Sequence, residues 1–213
     1  MPNQNEADQI IAAGRQVETI TPGTSGNLSC RVGRDGFVIT PSGVPYHVLT
    51  PDDLVTVSLA TETVVAGHRV PSTEWRLHRA IYQARPDVAA IVHVHSFYAT
   101  LLSTLGRPVK AVHYQLSWVG DEVTVADYAT YGTDQLAANA VAALGSSGAV
   151  LLKNHGLVTV AGGMEQALAF ARDVEWVASL YVKALPLGEP DLLTPAQLQD
   201  VRAQFRHYGQ PPS

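Results

Sequence analysis

Residues 88–105 read Val88-Ala-Ala-Ile-Val-His-Val-His95-Ser-Phe-Tyr-Ala-Thr-Leu-Leu-Ser-Thr-Leu105. The first half, Val88 to His95, is apolar and β-branched, which is strand composition. The second half, from Tyr98 to Leu105, returns to helical composition after Ser96, a residue type that caps helix N-termini. A strand therefore runs directly into a helix. Strand side chains alternate between faces, so His93 and His95 project to the same side, as a pair of metal ligands would. A lone pair of this kind is more often packed core than a ligand set.

Upstream, Pro71-Ser72-Thr73-Glu74 has the form of a helix start, with Trp75, Leu77, His78, Ile81 and Tyr82 following at helical spacing and Pro86 closing the run. Leu54 to Leu59 reads as a strand. Gly26 to Arg31 and Gly36 to Thr40 flank Gly33-Arg34-Asp35-Gly36, a hairpin signature. Ile10, Ile11, Gly14, Val17 and Ile20 mark an opening amphipathic helix from about residue 6 to about residue 18.

Downstream, Thr133 to Leu144 is alanine-rich and helical, Ala149 to Lys153 is a short buried strand, and Met164 to Leu185 is a long helix. Thr194-Pro195 opens a last helix, with proline at its first position. Strands and helices alternate irregularly, with hairpins in the first half. The expected fold class is α/β, a mixed sheet covered by helices, organised as one domain over residues 1–213 without repeats or a linker.

The 213 residues are 46% hydrophobic and 15% charged, a balance that excludes disorder and a solvated coiled coil. The formal net charge of -5 leaves no basic field for a nucleic-acid backbone. No apolar run approaches the roughly 20 residues that cross a bilayer. Cys30 is the single cysteine, and the N-terminus lacks the basic and apolar regions of a signal peptide, so the expected location is cytoplasmic.

His155 strengthens the metal reading. It follows an apolar strand in Lys153-Asn154-His155-Gly156, beside a glycine that permits close backbone approach. Three imidazoles and one carboxylate suit zinc or a similar first-row divalent ion, and Glu74 is the fourth candidate. By itself Glu74 would be an ordinary first-turn acid complementing a helix dipole. His47, His68, His78, His113 and His207 lack comparable pairing and are read as structural or surface.

Gly23-Thr-Ser-Gly26-Asn27-Leu-Ser29 and Thr40-Pro-Ser42-Gly43 are small and hydroxylic, and Ser72-Thr73 stands at a helix start. Each alone is a plain turn; three together, with metal-type histidines, point to an anion nest for one phosphate.

In identity and order, Gly-Thr-Ser-Gly-Asn-Leu-Ser, Thr-Pro-Ser-Gly, Pro-Ser-Thr-Glu, Arg85-Pro-Asp, His93-Val-His95-Ser and Lys-Asn-His155-Gly resemble the class II aldolase/adducin family across nearly the whole chain. Within it, Tyr-His-Val-Leu-Thr, His113-Tyr114, Tyr128-Ala-Thr-Tyr-Gly and His207-Tyr208-Gly are similar to members acting on L-fuculose 1-phosphate. The resemblance implies a three-layer αβα fold with a central mixed, largely antiparallel sheet, and a homotetramer with active sites at subunit interfaces. It implies Zn2+ held by Glu74, His93, His95 and His155, and a substrate phosphate at Gly26, Asn27, Ser42, Gly43, Ser72 and Thr73. It also implies catalytic roles for Glu74 as proton carrier, Tyr114 as a donor from a neighbouring subunit, and Tyr208 as a mobile C-terminal group. The implied reaction is reversible cleavage of a ketose 1-phosphate into dihydroxyacetone phosphate and a small aldehyde such as lactaldehyde. The alternatives on the same fold are a sugar-phosphate 4-epimerase, which carries aspartate where Glu74 stands, a methylthioribulose-1-phosphate-type dehydratase, and a non-catalytic adducin-like module lacking metal ligands.

Overall fold

The computed structural model describes residues 4–205. Its centre is one eight-stranded sheet in the order β4-β3-β2-β1-β5-β8-β7-β6. The strands are β1 (Asn27–Val32), β2 (Gly36–Ile39), β3 (Val55–Ser58), β4 (Val64–Ala66), β5 (Ala90–Val94), β6 (Val125–Ala126), β7 (Ala149–Leu152) and β8 (Gly156–Ala161). Neighbours pair antiparallel except β6 and β7, which run parallel, so the expected mixed, largely antiparallel sheet is what forms.

The helices are α1 (Gln4–Val17), α2 (Trp75–Ala84), α3 (Phe97–Thr104), α4 (Asp134–Leu144), α5 (Met164–Ala184) and α6 (Pro195–Phe205). Two apolar clusters separate the layers. Ala90, Val92 and Val94 of β5 pack in one cluster with Ile10 and Val17 of α1, Leu102 of α3 and Val174 and Val177 of α5. Ile91, one residue out of phase, packs in the other with Leu77 and Ile81 of α2 and Leu136 and Ala140 of α4. Helices thus cover both faces of the sheet, giving the three αβα layers.

The strand β8 is absent from the expectations, although it is central. It pairs with β5 from Ala90↔Ala161 to Val94↔Leu157 and with β7 on its other side. All six of its residues are buried, so no alternation betrays it. Its hairpin turn carries no Asn-Gly or Asp-Gly signal; Asn154 itself takes the left-handed conformation, at φ 56°. Two other unexpected strands lie at the sheet's edges, β4 with three residues and β6 with two.

At α3 the cap differs from expectation. Ser96 occupies the N-cap position, but its hydroxyl makes no capping bond. The first-turn amides of Tyr98 and Ala99 instead donate to the two carboxylate oxygens of Glu175 on α5, each at 2.9 Å. At α6 the expected cap forms: Thr194 Oγ1 accepts from the Gln197 amide at 3.3 Å and Gln197 Oε1 accepts back from the Thr194 amide at 2.8 Å.

Candidate active site and metal centre

The candidate ligands arrive from three separated stretches of chain. His93 lies in β5 and points, like Ile91, toward α2; His95 follows immediately as β5 ends. His155 sits in the turn joining β7 to β8, and Glu74 at the N-cap of α2. The hairpin register brings the turn close, because Val94 pairs with Leu157. Gly156 permits this approach: a Cβ there would stand 2.6 Å from the Val94 carbonyl oxygen and 2.8 Å from His95 Cδ2. Gly26, at φ 84°, plays the same part on the β1 side, where a side chain would be driven into the His93 carbonyl.

One ring nitrogen from each of His93, His95 and His155 falls within 4.8 Å of the others. Their ring centroids are 4.8–4.9 Å apart in every pairing. Glu74 Oε2 lies 3.1 Å from His93 Nε2, and Oε1 lies 3.4 Å from His155 Nε2. All four expected groups therefore meet at one point.

The donor set fits a divalent cation. His93 Nδ1 lies 2.9 Å from the Leu157 carbonyl, which can only accept, so Nδ1 carries a proton and Nε2 is the nitrogen turned to the centre, where it can offer a lone pair to a cation. His95 Nε2 faces that same lone pair at 3.1 Å, a contact that needs a cation or a proton between the rings. Glu74 Oε1 is buried without a hydrogen-bond partner. An unpaired buried carboxylate oxygen costs stability unless something positive neutralises it.

The electrostatics agree. Burial alone would raise the Glu74 carboxyl, but His93, His155 and the Asn27 amide outweigh it and hold it well below the usual carboxylate range. Burial pushes His95 and His155 down to about 4, so both imidazoles are neutral at physiological pH. Burial opposes charge on His93 too, yet the adjoining Glu74 carboxylate wins and raises it.

Beside this centre lies a cavity of about 480 Å³. Gly26, Asn27, Ser42, Gly43, Ser72 and Thr73 all line it, together with Glu74, His95 and His155. The loops carrying them are tied to each other: the Ser42 amide donates to the Val70 carbonyl at 3.0 Å and the Ser72 amide to the Thr40 carbonyl at 3.1 Å. Those two amides are committed, which narrows the anion nest expected from the sequence to the side-chain hydroxyls and the remaining loop amides. Neither lysine nor arginine is among the lining residues.

Tyr114 does not line this cavity in its own chain; it lies in the turn Tyr114–Trp118, 46% exposed and packed against His113. Tyr208 lies outside the described residues. His47 pairs with Glu18 at 2.8 Å, and His113 packs edge-on against Trp176. His78, which the sequence reading set aside, is completely buried directly behind Glu74 and Asn27. Its signal was the spacing Glu74, His78, Tyr82, three polar groups four apart on the helix face turned to the sheet.

These features coincide with a known family. The model of the class II aldolase and adducin N-terminal domain matches residues 8–182, and the chain belongs to that family. It is similar to the 5-methylthioribulose-1-phosphate/5-deoxyribulose-1-phosphate aldolase of Rhodospirillum rubrum, with 40% identity over 94% of this chain and 90% of the relative. It is also similar to the L-fuculose phosphate aldolase of Escherichia coli, with 38% identity over 89% of this chain and 88% of the relative. A solved L-fuculose 1-phosphate aldolase superposes with a TM-score of 0.93 at 37% identity, covering 97% of this chain and 98% of its own. The chain is accordingly a class II aldolase, a carbon–carbon lyase.

Proposed function

We propose that this aldolase reversibly cleaves a ketose 1-phosphate of the L-fuculose 1-phosphate type into dihydroxyacetone phosphate and a small aldehyde such as lactaldehyde, using Zn2+ held by Glu74, His93, His95 and His155. The observation that carries the reading is the convergence of three imidazoles and a buried carboxylate beside a cavity walled by hydroxyls and glycines. When bound, a divalent ion supplies the positive charge that stabilises an enediolate as a carbon–carbon bond breaks.

The chain's own groups perform the rest. Ser42, Gly43, Ser72 and Thr73 hold the phosphate through hydroxyls and amides, which needs no cationic side chain. Asn27 joins them with its second amide hydrogen, the first being given to Glu74 Oε2 at 3.0 Å. Glu74, kept ionised, takes and returns the proton at the carbon next to the ketone. Tyr114, supplied across a subunit boundary in a homotetramer, handles the aldehyde oxygen, with Tyr208 as a further catalytic residue. The half-exposed Tyr114, Trp118 and Trp176, at 46%, 41% and 44%, supply aromatic surface for such an assembly. We place the enzyme in the cytoplasm, in keeping with a chain whose described residues include no helix long and apolar enough to cross a membrane.

A second substrate reading rests on the relative at 40% identity, named for methylthioribulose and deoxyribulose 1-phosphates. It keeps the phosphate half and shortens or thiolates the aldehyde half. The relative's name pairs methylthioribulose 1-phosphate with an aldolase, which supports this reading beside the dehydratase alternative. Incubating the zinc-loaded enzyme with L-fuculose 1-phosphate, 5-deoxyribulose 1-phosphate and 5-methylthioribulose 1-phosphate, with coupled detection of dihydroxyacetone phosphate, tests both. The highest kcat/KM is expected for L-fuculose 1-phosphate. A preference for either pentulose selects the second reading, and no triose phosphate from any of the three sinks both.

A further inference from the structure

Behind Glu74 lies a file of buried polar groups running away from the cavity. Asn27 and Ser29 alternate on β1 and face α2, while Glu74, His78 and Tyr82 succeed one another at four-residue intervals along it. Two strand residues advance about 6.6 Å and four helix residues about 6 Å, so the two rows stay in step. Asn27 falls between Glu74 and His78, and Ser29 between His78 and Tyr82. The contacts are Asn27 Nδ2 to Glu74 Oε2 at 3.0 Å, Asn27 Oδ1 to His78 Nε2 at 2.5 Å, His78 Nδ1 to Ser29 Oγ at 2.6 Å and Ser29 Oγ to Tyr82 Oη at 2.8 Å.

The hydrogens in this file can be placed from one end. An ionised Glu74 accepts only, so Asn27 must turn its NH2 toward it and its carbonyl toward His78. His78 Nε2 must then carry a hydrogen, and in a neutral ring this leaves Nδ1 bare. Ser29 must donate to Nδ1, and Tyr82, whose hydroxyl also lies 3.0 Å from the Ser29 carbonyl, must donate toward Ser29. Fixing Glu74 thus fixes the Asn27 amide and the hydrogen on His78 Nε2, and the Tyr82 hydroxyl hydrogen is shared between the two Ser29 oxygens.

We propose that His78 is a positioning residue: as a neutral Nε2–H imidazole, with Ser29 and Tyr82 behind it, it fixes the orientation of the Asn27 amide and through it the pose of Glu74. The ring is completely buried between a hydroxyl at Nδ1 and a carbonyl oxygen at Nε2, a setting that suits a neutral imidazole. Tyr82, driven well above its ordinary value by burial, remains a hydroxyl donor. The device explains why Glu74 keeps one orientation beside the histidines: an Asn27 flipped by 180° would face Glu74 with a carbonyl oxygen and leave two buried acceptors opposed.

The role of Glu74 as ligand and proton carrier is taken from the proposed function, so the test separates the two. Long-range 1H–15N spectra of the zinc-loaded, histidine-labelled protein at pH 7 should show His78, identified by the signal missing in His78→Gln, as the Nε2–H tautomer. The Nδ1–H tautomer or a charged ring there overturns the proposal. His78→Leu, which keeps volume and removes both ring nitrogens, should lose roughly 10- to 100-fold in zinc affinity by chelator competition or in kcat, with KM changed less than about threefold. His78→Gln, whose amide still donates to Asn27 Oδ1, should recover most of that loss. Wild-type zinc affinity and kcat in His78→Leu, or a loss confined to KM, refutes the positioning role while leaving the aldolase reading intact. The expected tautomer and zinc effect in a protein that cleaves none of the three ketose phosphates refutes the substrate reading alone.

Discussion

Glu74 is proposed both to hold the cation and to carry a proton, and its surroundings suit one side chain to both tasks. Oε2 accepts from the Asn27 amide and lies 3.1 Å from His93 Nε2, whereas Oε1 is buried with no hydrogen bond, leaving one oxygen anchored and one free to act. In Glu74→Gln the amide can still coordinate weakly but cannot take a proton. Turnover should fall by about 10²–10⁴-fold, the range for loss of a general base, while zinc content by elemental analysis stays near one per chain. Undiminished cleavage by that variant removes Glu74 from the chemistry. The candidate ligands were legible in the sequence because alternation in a strand and a glycine after His155 have local causes. His78 was not, because its role depends on Asn27 and Ser29, some 50 residues earlier, being brought opposite it by the packing of β1 on α2.

At the scale of elements, the proposed metal site depends on how α3 begins. His95 is the last residue before the Ser96 cap position, and the α3 N-terminus is held by Glu175 rather than by Ser96. A carboxylate accepting two first-turn amides both satisfies orphan donors and complements the helix dipole. Glu175→Ala should therefore cost about 1–2 kcal/mol, a cap's usual worth, and lower the melting temperature by roughly 2–4 °C per kcal/mol for a chain of this size. Ser96→Ala should leave the melting temperature within about 1 °C, since its hydroxyl supports no cap. Equal losses in the two variants, measured by calorimetry, contradict this assignment. The same contrast marks where sequence reading stops at this scale. The helix and its start were legible from composition, but the cap was supplied from α5, and no local pattern encodes a partner 77 positions away. The central strand β8 escaped for the opposite reason. Burial on both faces erases the alternation by which half-buried strands such as β3 are recognised.

For the molecule as a whole, the proposed metal centre sits where two paired strands of the sheet meet the start of a helix packed on it. The β5 end, the β7–β8 turn and the N-terminus of α2 each contribute one side of it, so a bound cation cross-links the middle of the sheet to a helix on one of its faces. Without a cation the same point holds two ring nitrogens at 3.1 Å and an unsatisfied buried carboxylate oxygen. Binding to the folded state alone should add about 4 kcal/mol at free zinc near 1,000 times its Kd. For a chain of 213 residues that corresponds to a melting temperature roughly 8–16 °C higher in zinc than in a chelator. Magnesium should not substitute, because a set of three imidazoles suits zinc and its first-row neighbours, whereas magnesium prefers oxygen ligands. His155→Ala supplies the internal control. It removes one ligand and one crowded ring, so its transition should respond much less to zinc, while its chelated form melts no lower than the chelated wild type by more than a few degrees. Identical melting of the wild type in zinc and in chelator means that the four side chains gather for some reason other than a cation.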